Sequence, residues 1–443
     1  MNHSRIIIAA PKSGSGKTTI TCGILAALKR MGMNPCSFKC GPDYIDPMFH
    51  RTILGIPSGN LDTFFTDDET TIKLFTQEFT GNIAVVEGVM GLYDGVGGTE
   101  ETGSTYDLAR SLKAPVVLVV DAKGAGRSLI AQLKGFLYYD NYRLIKGVIL
   151  NRTSQAFGEK LGKLIEAELG IKYLGTIPDM RDVEFSSRHL GLIMPHEISL
   201  IQDKLEKIAD AVFENIKMAD LKKIAESASK LDIIEDNKTN NIQLRMAVAY
   251  DEAFCFYYRE NFEMLERAGI ELVTFSPIRD KHLPENISGL LLGGGYPENF
   301  LRQLSENSSI KNEIKEAITL GMPTLAECGG FMYLLDSITD KDNRKFDMVG
   351  AISGAARFVG KLVRFGYVTI AKDDLEIRGH EFHYYDTDNN GQDCLAVKPS
   401  GNKSWQCIHT FNGGFIGFPH LYYPSNPKFV NNFVEVMKKY GGQ

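Results

Sequence analysis

Two short stretches of this chain carry residue types whose spacing points to chemistry. The first is Pro11-Lys12-Ser13-Gly14-Ser15-Gly16-Lys17-Thr18-Thr19, set between an apolar run at Arg5–Ala9 and a segment of helical spacing at 18–30. A strand, a glycine loop and a helix in that order form a phosphate cradle. The glycines let successive backbone N–H groups curl around phosphate oxygens, and the helix N-terminus adds its positive dipole end. Ser13, Gly14, Ser15, Gly16, Lys17, Thr18 and Thr19 are the nucleotide-binding candidates. Lys17 reaches the outer phosphates and the Thr18 hydroxyl can ligate Mg²⁺. Pro11 replaces the usual first glycine, and Lys12 sits where a deviant class of such loops carries a second lysine. The second stretch is Pro323-Thr324-Leu325-Ala326-Glu327-Cys328-Gly329-Gly330-Phe331-Met332-Tyr333, which reads as a short strand, a tight turn and a helix. That is the pattern of a nucleophile elbow, and a thiol at a helix N-terminus is expected to lean toward thiolate.

Each stretch needs partners. For the phosphate loop, Glu87 ends an apolar strand at 83–86, where ligands bind in open α/β sheets. Lys39-Cys40-Gly41-Pro42-Asp43-Tyr44-Ile45-Asp46-Pro47 places a lysine and two carboxylates in a turn-rich loop after another strand. Mg²⁺ typically takes one or two carboxylates besides phosphate oxygens, so Glu87 with Asp43 or Asp46 would serve. Cys36 and Cys40 lack a second thiol pair nearby and are read as packing residues. For the thiol, a covalent thioester needs a base and an oxyanion hole. Gly293-Gly294-Gly295 closes a strand and presents backbone N–H groups, with the Gly329 N–H as the second donor. His420, late in the chain after a glycine-rich segment, is the base candidate. His380 and His383 lie three apart on a strand and are expected on opposite faces, which suits hydrogen bonding or substrate contact better than zinc.

The elements that must position these residues follow a regular pattern. Apolar strands at Arg5–Ala9, 83–86, 115–120 and 146–150 alternate with helical segments such as 18–30 and 126–139, which predicts a doubly wound parallel sheet. The stretch 215–243 is rich in Lys, Glu, Asp, Ser and Asn and reads as a linker. A second α/β series follows, with strands at 246–250, 271–275, Gly289–Leu292 and 323–325. Antiparallel pieces near a sheet edge are expected at 362–370, 376–385 and 407–417. The organisation is therefore a domain at 1–214, a linker at 215–243 and a domain at 244–443. The 443 residues are 43% hydrophobic and 23% charged, enough for two large cores. A net charge of -6 argues against nucleic acid or an anionic membrane as partner, and no apolar run reaches the roughly 20 residues a membrane span needs. Residues 1–5 show no signal-peptide pattern, and seven scattered cysteines suit a reducing cytoplasm. Oligomeric state is open, a homodimer included.

Taken together, the phosphate loop, the Lys39–Pro47 segment, Glu87-Gly88-Val89-Met90-Gly91-Leu92-Tyr93-Asp94-Gly95, Arg188-His189-Leu190-Gly191-Leu192, Glu327-Cys328-Gly329-Gly330 and His420 resemble the cobyrinate a,c-diamide synthase family over nearly the whole chain. The resemblance implies a dethiobiotin-synthetase-like P-loop domain joined to a class I glutamine amidotransferase domain of the cobyric-acid-synthase type. It implies Cys328 as nucleophile with His420 beside it, Asn151 at the adenine, and Thr18, Asp43 and Glu87 around Mg²⁺. Lys39, Tyr44, Asp46, Arg181, Arg188 and His189 would face a polycarboxylate tetrapyrrole. ATP and L-glutamine would be co-substrates for amidating the a and c acetate arms of cobyrinate. Ordinary class I glutaminases carry a Glu two residues after the His; here that position is Tyr422, and relatives of this type also lack that Glu, so what orients His420 is open. The same reaction on nickel-sirohydrochlorin or hydrogenobyrinate is one alternative. A nucleotide-switch ATPase, suggested by Lys12, is another, though a switch has no need of Cys328.

Overall fold

The computed structural model describes residues 3–180, 183, 198–232 and 244–442. Contacts divide the chain into two compact units, Met1–Glu235 and Asp236–Gln443.

The first unit begins with β1 (Arg5–Ala9), α1 (Lys17–Arg30), β2 (Pro35–Cys40), α2 (Ile45–Thr52), β3 (Ser58–Leu61), α3 (Asp68–Glu78), β4 (Ile83–Glu87) and α4 (Thr105–Ser111). It continues with β5 (Val116–Asp121), α5 (Ser128–Tyr139), β6 (Ile145–Asn151), α6 (Gln155–Leu169), β7 (Lys172–Ile177), α7 (Ile198–Asn215) and α8 (Met218–Glu226). The seven strands form one sheet in the order β3-β2-β4-β1-β5-β6-β7, every neighbour parallel. The apolar strands drive this arrangement. Ile6, Ile7 and Ile8 are fully buried, as are Val116 to Val119, because helices cover both faces of the sheet. β1 lies between β4 and β5, and the chain winds outward from it in both directions, so the crevice at its C-terminal end is a ligand position. Register then brings the chemistry together: Ile8 pairs with Glu87, and Lys39 pairs with Glu87 from the other side.

One expectation needs correcting. Part of the stretch read as linker is structure of the first unit. Met218, Leu221, Ile224 and Ala225 on α8 are buried in the same core as Ile6 and Val117. The polar residues of Met218–Glu226 belong to the outer face of an amphipathic helix, whose apolar stripe recurs at three- and four-residue steps. Residues 233–243 lie outside the described residues.

The second unit comprises β8 (Leu244–Ala249), β9 (Phe254–Phe256), α9 (Arg259–Arg267), β10 (Ile270–Phe275), β11 (Gly289–Leu292), β12 (Gly294–Gly295), α10 (Leu301–Glu306), α11 (Ser308–Thr319), β13 (Thr324–Glu327), α12 (Gly329–Leu334), β14 (Leu335–Thr339) and β15 (Lys345–Asp347). It ends with β16 (Ile352–Lys372), β17 (Leu375–Thr387), β18 (Cys394–Val397), β19 (Ser404–Cys407), β20 (Phe415–Gly417), β21 (His420–Leu421) and α13 (Pro427–Gly441). Its central sheet, β10-β8-β11-β13-β20, is wholly parallel. A second sheet runs β15-β14-β16-β17-β21, with β18 paired to β16 and β19 paired to β18. The long β16–β17 pair is antiparallel, as expected for 362–370 and 376–385. The piece at 407–417 is different. It splits after Cys407, and Phe415–Gly417 joins the central sheet as a parallel edge strand beside β13. Three residues are too few to reveal direction by periodicity, and pairing with β13 sets it.

Candidate active sites

The phosphate loop of the first unit leaves β1 and enters α1 with Gly14 at φ 77° and Gly16 at φ 93°, left-handed values that a residue with a Cβ rarely adopts. A Cβ on Gly16 would also lie 2.3 Å from Asn151 Nδ2. Ser13 and Gly14 are exposed, and Ser15 is buried with its hydroxyl donating to Lys12 O at 2.9 Å. Asn151, at the end of β6, donates through Nδ2 to Ser15 O at 2.9 Å, and Arg152 donates through Nη1 to Gly14 O at 3.0 Å and to Asp121 Oδ2 at 2.8 Å. Thr19 is half-buried in the first turn of α1. Lys17 folds over to donate to Met90 O at 2.5 Å. Burial, reinforced by the Lys39 charge, holds its ammonium down at about 8.

Behind the loop lies a charge cluster of Lys39, Asp43, Asp46 and Glu87. Lys39 Nζ is 2.5 Å from Asp46 Oδ2, 2.8 Å from Glu87 Oε1 and 3.9 Å from Asp43 Oδ2. Glu87 Oε1 also accepts from the Thr18 hydroxyl at 2.5 Å. Burial, together with the Asp46 charge, pushes Glu87 up to about 7 against the pull of Lys39 and Thr18. Burial would raise Asp46 too, but the charge and hydrogen bond of Lys39 bring it below the usual carboxylate range. Burial opposes the Lys39 ammonium, yet Asp46, Glu87 and Asp43 outweigh it and hold it well above its ordinary value. Asp43 Oδ1 accepts from Ile45 N at 2.8 Å and Asp46 N at 3.2 Å at the start of α2, with Tyr44 buried beside it. Cys36 and Cys40 are buried in β2. Thr18 and Glu87 in direct contact, with Asp43 and Asp46 close behind, are an oxygen donor set of the kind Mg²⁺ uses beside a nucleotide. Arg181, Arg188 and His189 lie outside the described residues.

In the second unit Cys328 stands between β13 and α12 at φ 46°, ψ -100°, a strained backbone that only the surrounding contacts can hold. Its N–H donates to Gly417 O at 2.9 Å on the neighbouring β20, and the Gly330 N–H donates to Gly293 O at 2.9 Å. The glycines pack without room for side chains. A Cβ on Gly330 would be 2.1 Å from Leu292 O, and one on Gly329 would be 3.3 Å from Gly295 N. One on Gly294 would be 2.4 Å from His420 Cε1. Cys328 therefore shares one end of the parallel sheet with Gly294, Gly295, Gly329 and His420.

The expectation of a thiolate does not hold for this state of the site. Burial, with the Glu298 and Glu381 carboxylates adding to it, pushes the Cys328 thiol well above its ordinary range. The helix behind it is six residues long, and its dipole is small against three nearby acids. A base must then take the proton as the thiol attacks.

His380 and His383 are both buried. His380 stacks on His420 with ring centroids 4.9 Å apart and planes 14° apart, and its Nδ1 lies 3.1 Å from Tyr258 Oη. Burial and the neighbouring His420 hold it well below its usual value, so it is a neutral ring. His383 stacks on Phe418 and pairs with Glu381 Oε2 at 2.9 Å. The sequence reading passed over Glu327, whose Oε2 lies 3.7 Å from His420 Nδ1. Its only signal was adjacency to Cys328.

A parallel-sheet unit with a phosphate loop, joined to a parallel-sheet unit with a cysteine elbow, defines a nucleotide-binding, glutamine-dependent amidotransferase. Comparisons with known proteins agree. Residues 6–193 match the CobQ/CobB/MinD/ParA nucleotide binding domain, and residues 245–415 match the CobB/CobQ-like glutamine amidotransferase domain. Three relatives named cobyrinate a,c-diamide synthase align end to end. That of Caldanaerobacter subterraneus subsp. tengcongensis is 38% identical, covering 98% of each chain. That of Clostridium acetobutylicum is 39% identical over 97% of this chain and 99% of its own. That of Picrophilus torridus is 38% identical over 98% and 99%. The chain belongs to the cobyrinate a,c-diamide synthase family.

Proposed function

We infer that this enzyme amidates the a and c acetate carboxylates of cobyrinate, taking nitrogen from glutamine and driving the reaction with ATP, in cobalamin biosynthesis. The observation that carries this reading is the end-to-end match to relatives of that name, which spans a phosphate loop and a cysteine elbow on the same chain.

The chemistry explains why both are needed. A carboxylate resists attack by ammonia because of its charge and resonance. Transfer of the γ-phosphoryl group to a substrate oxygen makes an acyl phosphate, and ammonia then displaces phosphate. Lys17 is the residue that leaves Met90 O and turns to the phosphates, where it offsets the charge on the transferring group. Thr18 and Glu87, with Asp43, would hold Mg²⁺, which supplies further neutralisation of the phosphate oxygens. Lys39 donates two hydrogen bonds, to Asp46 and Glu87, with Asp43 at ion-pair distance, and its third N–H is the donor a substrate carboxylate would meet. By the family resemblance Arg181, Arg188, His189 and Tyr44 would face the polycarboxylate substrate, and Asn151 the adenine.

In the second unit Cys328 attacks the glutamine amide as His420 takes its proton. Backbone N–H groups of Gly295 and Gly329 steady the oxyanion, and the thioester is hydrolysed after ammonia leaves. Ammonia in water at pH 7 is mostly protonated and inert, and carrying both reactions on one chain couples its release to its use. Seven free thiols suit a reducing compartment, the cytoplasm. Among the described residues no helix is long and apolar enough to cross a membrane.

The test is to mix protein, ATP, Mg²⁺, glutamine and cobyrinate and follow product mass. The expected result is a loss of about one mass unit for each carboxylate converted to amide, stopping at two conversions. If cobyrinate stays unchanged while another tetrapyrrole acid is amidated, the reaction class stands and the substrate assignment falls. If no acid stimulates ATP turnover, the reading fails altogether.

A further inference from the structure

Tyr422 occupies the position where ordinary class I glutaminases place the acid that orients the histidine, and Tyr422 has no carboxylate to offer. An acid reaches the same imidazole from another direction. Glu327 is the last residue of β13, immediately before the strained Cys328, and it is buried. Its Oε2 lies 3.7 Å from His420 Nδ1. Its other oxygen is held by the residues that follow His420: Oε1 accepts from the Leu421 N–H at 3.3 Å and from the Tyr423 hydroxyl at 3.5 Å. The carboxylate is thus pinned to the β21 segment that carries the imidazole.

The remaining walls of the imidazole leave it little freedom. His380 stacks on one face of His420. Gly294 approaches Cε1 so closely that a Cβ there would lie at 2.4 Å. Cε1 lies between the two ring nitrogens, so the ring is fixed by its face and by the edge that joins Nδ1 to Nε2. A carboxylate at Nδ1 selects the tautomer with the proton on Nδ1, which makes Nε2 the acceptor for the thiol proton. The 3.7 Å separation is within ion-pair reach and longer than a hydrogen bond, and such contacts commonly tighten when substrate arrives.

We propose that Glu327 is the positioning residue for His420, a third member of the glutaminase site supplied by the residue before the nucleophile and not by the residue two after the histidine. The inference rests on Cys328 and His420 being the glutaminase pair. That premise is tested separately: Cys328→Ala and His420→Ala must each abolish glutamine-driven amidation while ammonium-driven amidation continues. If they do not, the pair is wrong and Glu327 has no such role.

With the premise secured, Glu327→Gln is compared with the parent enzyme. The expected result is a fall in glutaminase kcat on the order of a hundredfold with KM for glutamine nearly unchanged, since the lost interaction acts on the base and not on glutamine binding. Ammonium-driven amidation should be unaltered. Glu327→Asp should restore part of the rate. Tyr423→Phe loosens the carboxylate without removing it and should lower glutaminase kcat by a smaller factor, with KM for glutamine again nearly unchanged, and it serves as the reporter if Glu327→Gln does not fold. A Glu327→Gln enzyme with kcat within about threefold of the parent overturns the proposal. So does a folded Tyr423→Phe enzyme with unchanged kcat when Glu327→Gln cannot be made.

Discussion

Within salt-bridge reach of a single lysine, the first unit gathers three carboxylates, two of them buried and one of those in contact with the threonine of the phosphate loop. In the second unit the reacting group is a buried neutral thiol held at a strained elbow, with acids that oppose its ionisation. One site holds its lysine and acids in contact before substrate arrives; the other keeps its reactivity latent in backbone geometry and forms charge only during turnover. The difference follows from the tasks. Phosphoryl transfer is limited by positioning and neutralising charge that already exists on ATP. Glutamine hydrolysis requires a nucleophile that does nothing until glutamine is in place, and a protonated thiol meets that need.

Cross-comparison of two variants is the strongest test of this contrast. Lys17→Ala should reduce amidation from glutamine and from ammonium alike by about 10³-fold, since it removes a donor from the phosphate being transferred. Alkylation of Cys328 by a glutamine analogue should proceed normally in that variant. Cys328→Ala should give the mirror pattern, with glutamine-driven product lost and ammonium-driven product retained. A variant that damages both reactions equally in both assays would erase the division.

Next in size is Lys39→Met, which strips Glu87 and Asp46 of their counter-charge. Leaving such acids unpaired should cost the first unit about 3 kcal/mol, read as an earlier first transition in denaturant unfolding. The second unit's transition should not move. Should Lys39→Met leave the first transition in place, the cluster is not the preformed contact described above.

Gly294→Ala should slow glutaminase turnover by about a hundredfold without affecting unfolding of the first unit, because its methyl group must push His420 aside. Normal glutaminase activity would mean that the imidazole is not confined there.

The smallest effect concerns pH. Lys17 is held down at about 8 and binds phosphate in its charged form. Affinity of the free enzyme for ATP should therefore be full below that value and weaken as pH rises through it, by roughly tenfold between pH 7 and 9. A flat profile would place the lysine in a more exposed setting than the structure does.

Much of the first unit was legible because its strands are buried on both faces and read as apolar runs, and because the phosphate loop needs glycines where backbone turns left-handed. Lys39 was harder. The turn-rich segment after it reads as a loop that includes it, whereas Lys39 lies inside β2, buried because Glu87, 48 residues away, becomes its neighbour across β2 and β4. Glu327 was hidden for a similar reason: the Leu421 N–H it accepts from is 94 residues downstream. The thiolate expectation failed because sequence shows the helix start behind Cys328 but not the acids that fold around it. Residues 216–232 were misread because composition registers the solvent face of a helix and averages away its apolar stripe.

Asn151 and Arg152 grip the carbonyls of Ser15 and Gly14 from the end of β6. Carbonyls tied outward leave the loop's amides turned toward the space the phosphates would fill. Ordering of that loop is thus completed at folding. Calorimetric titration with ATP should then show an isotherm with little unfavourable entropy from chain ordering, and cutting the tie with Asn151→Ala should make association more entropically costly without removing any group that touches phosphate.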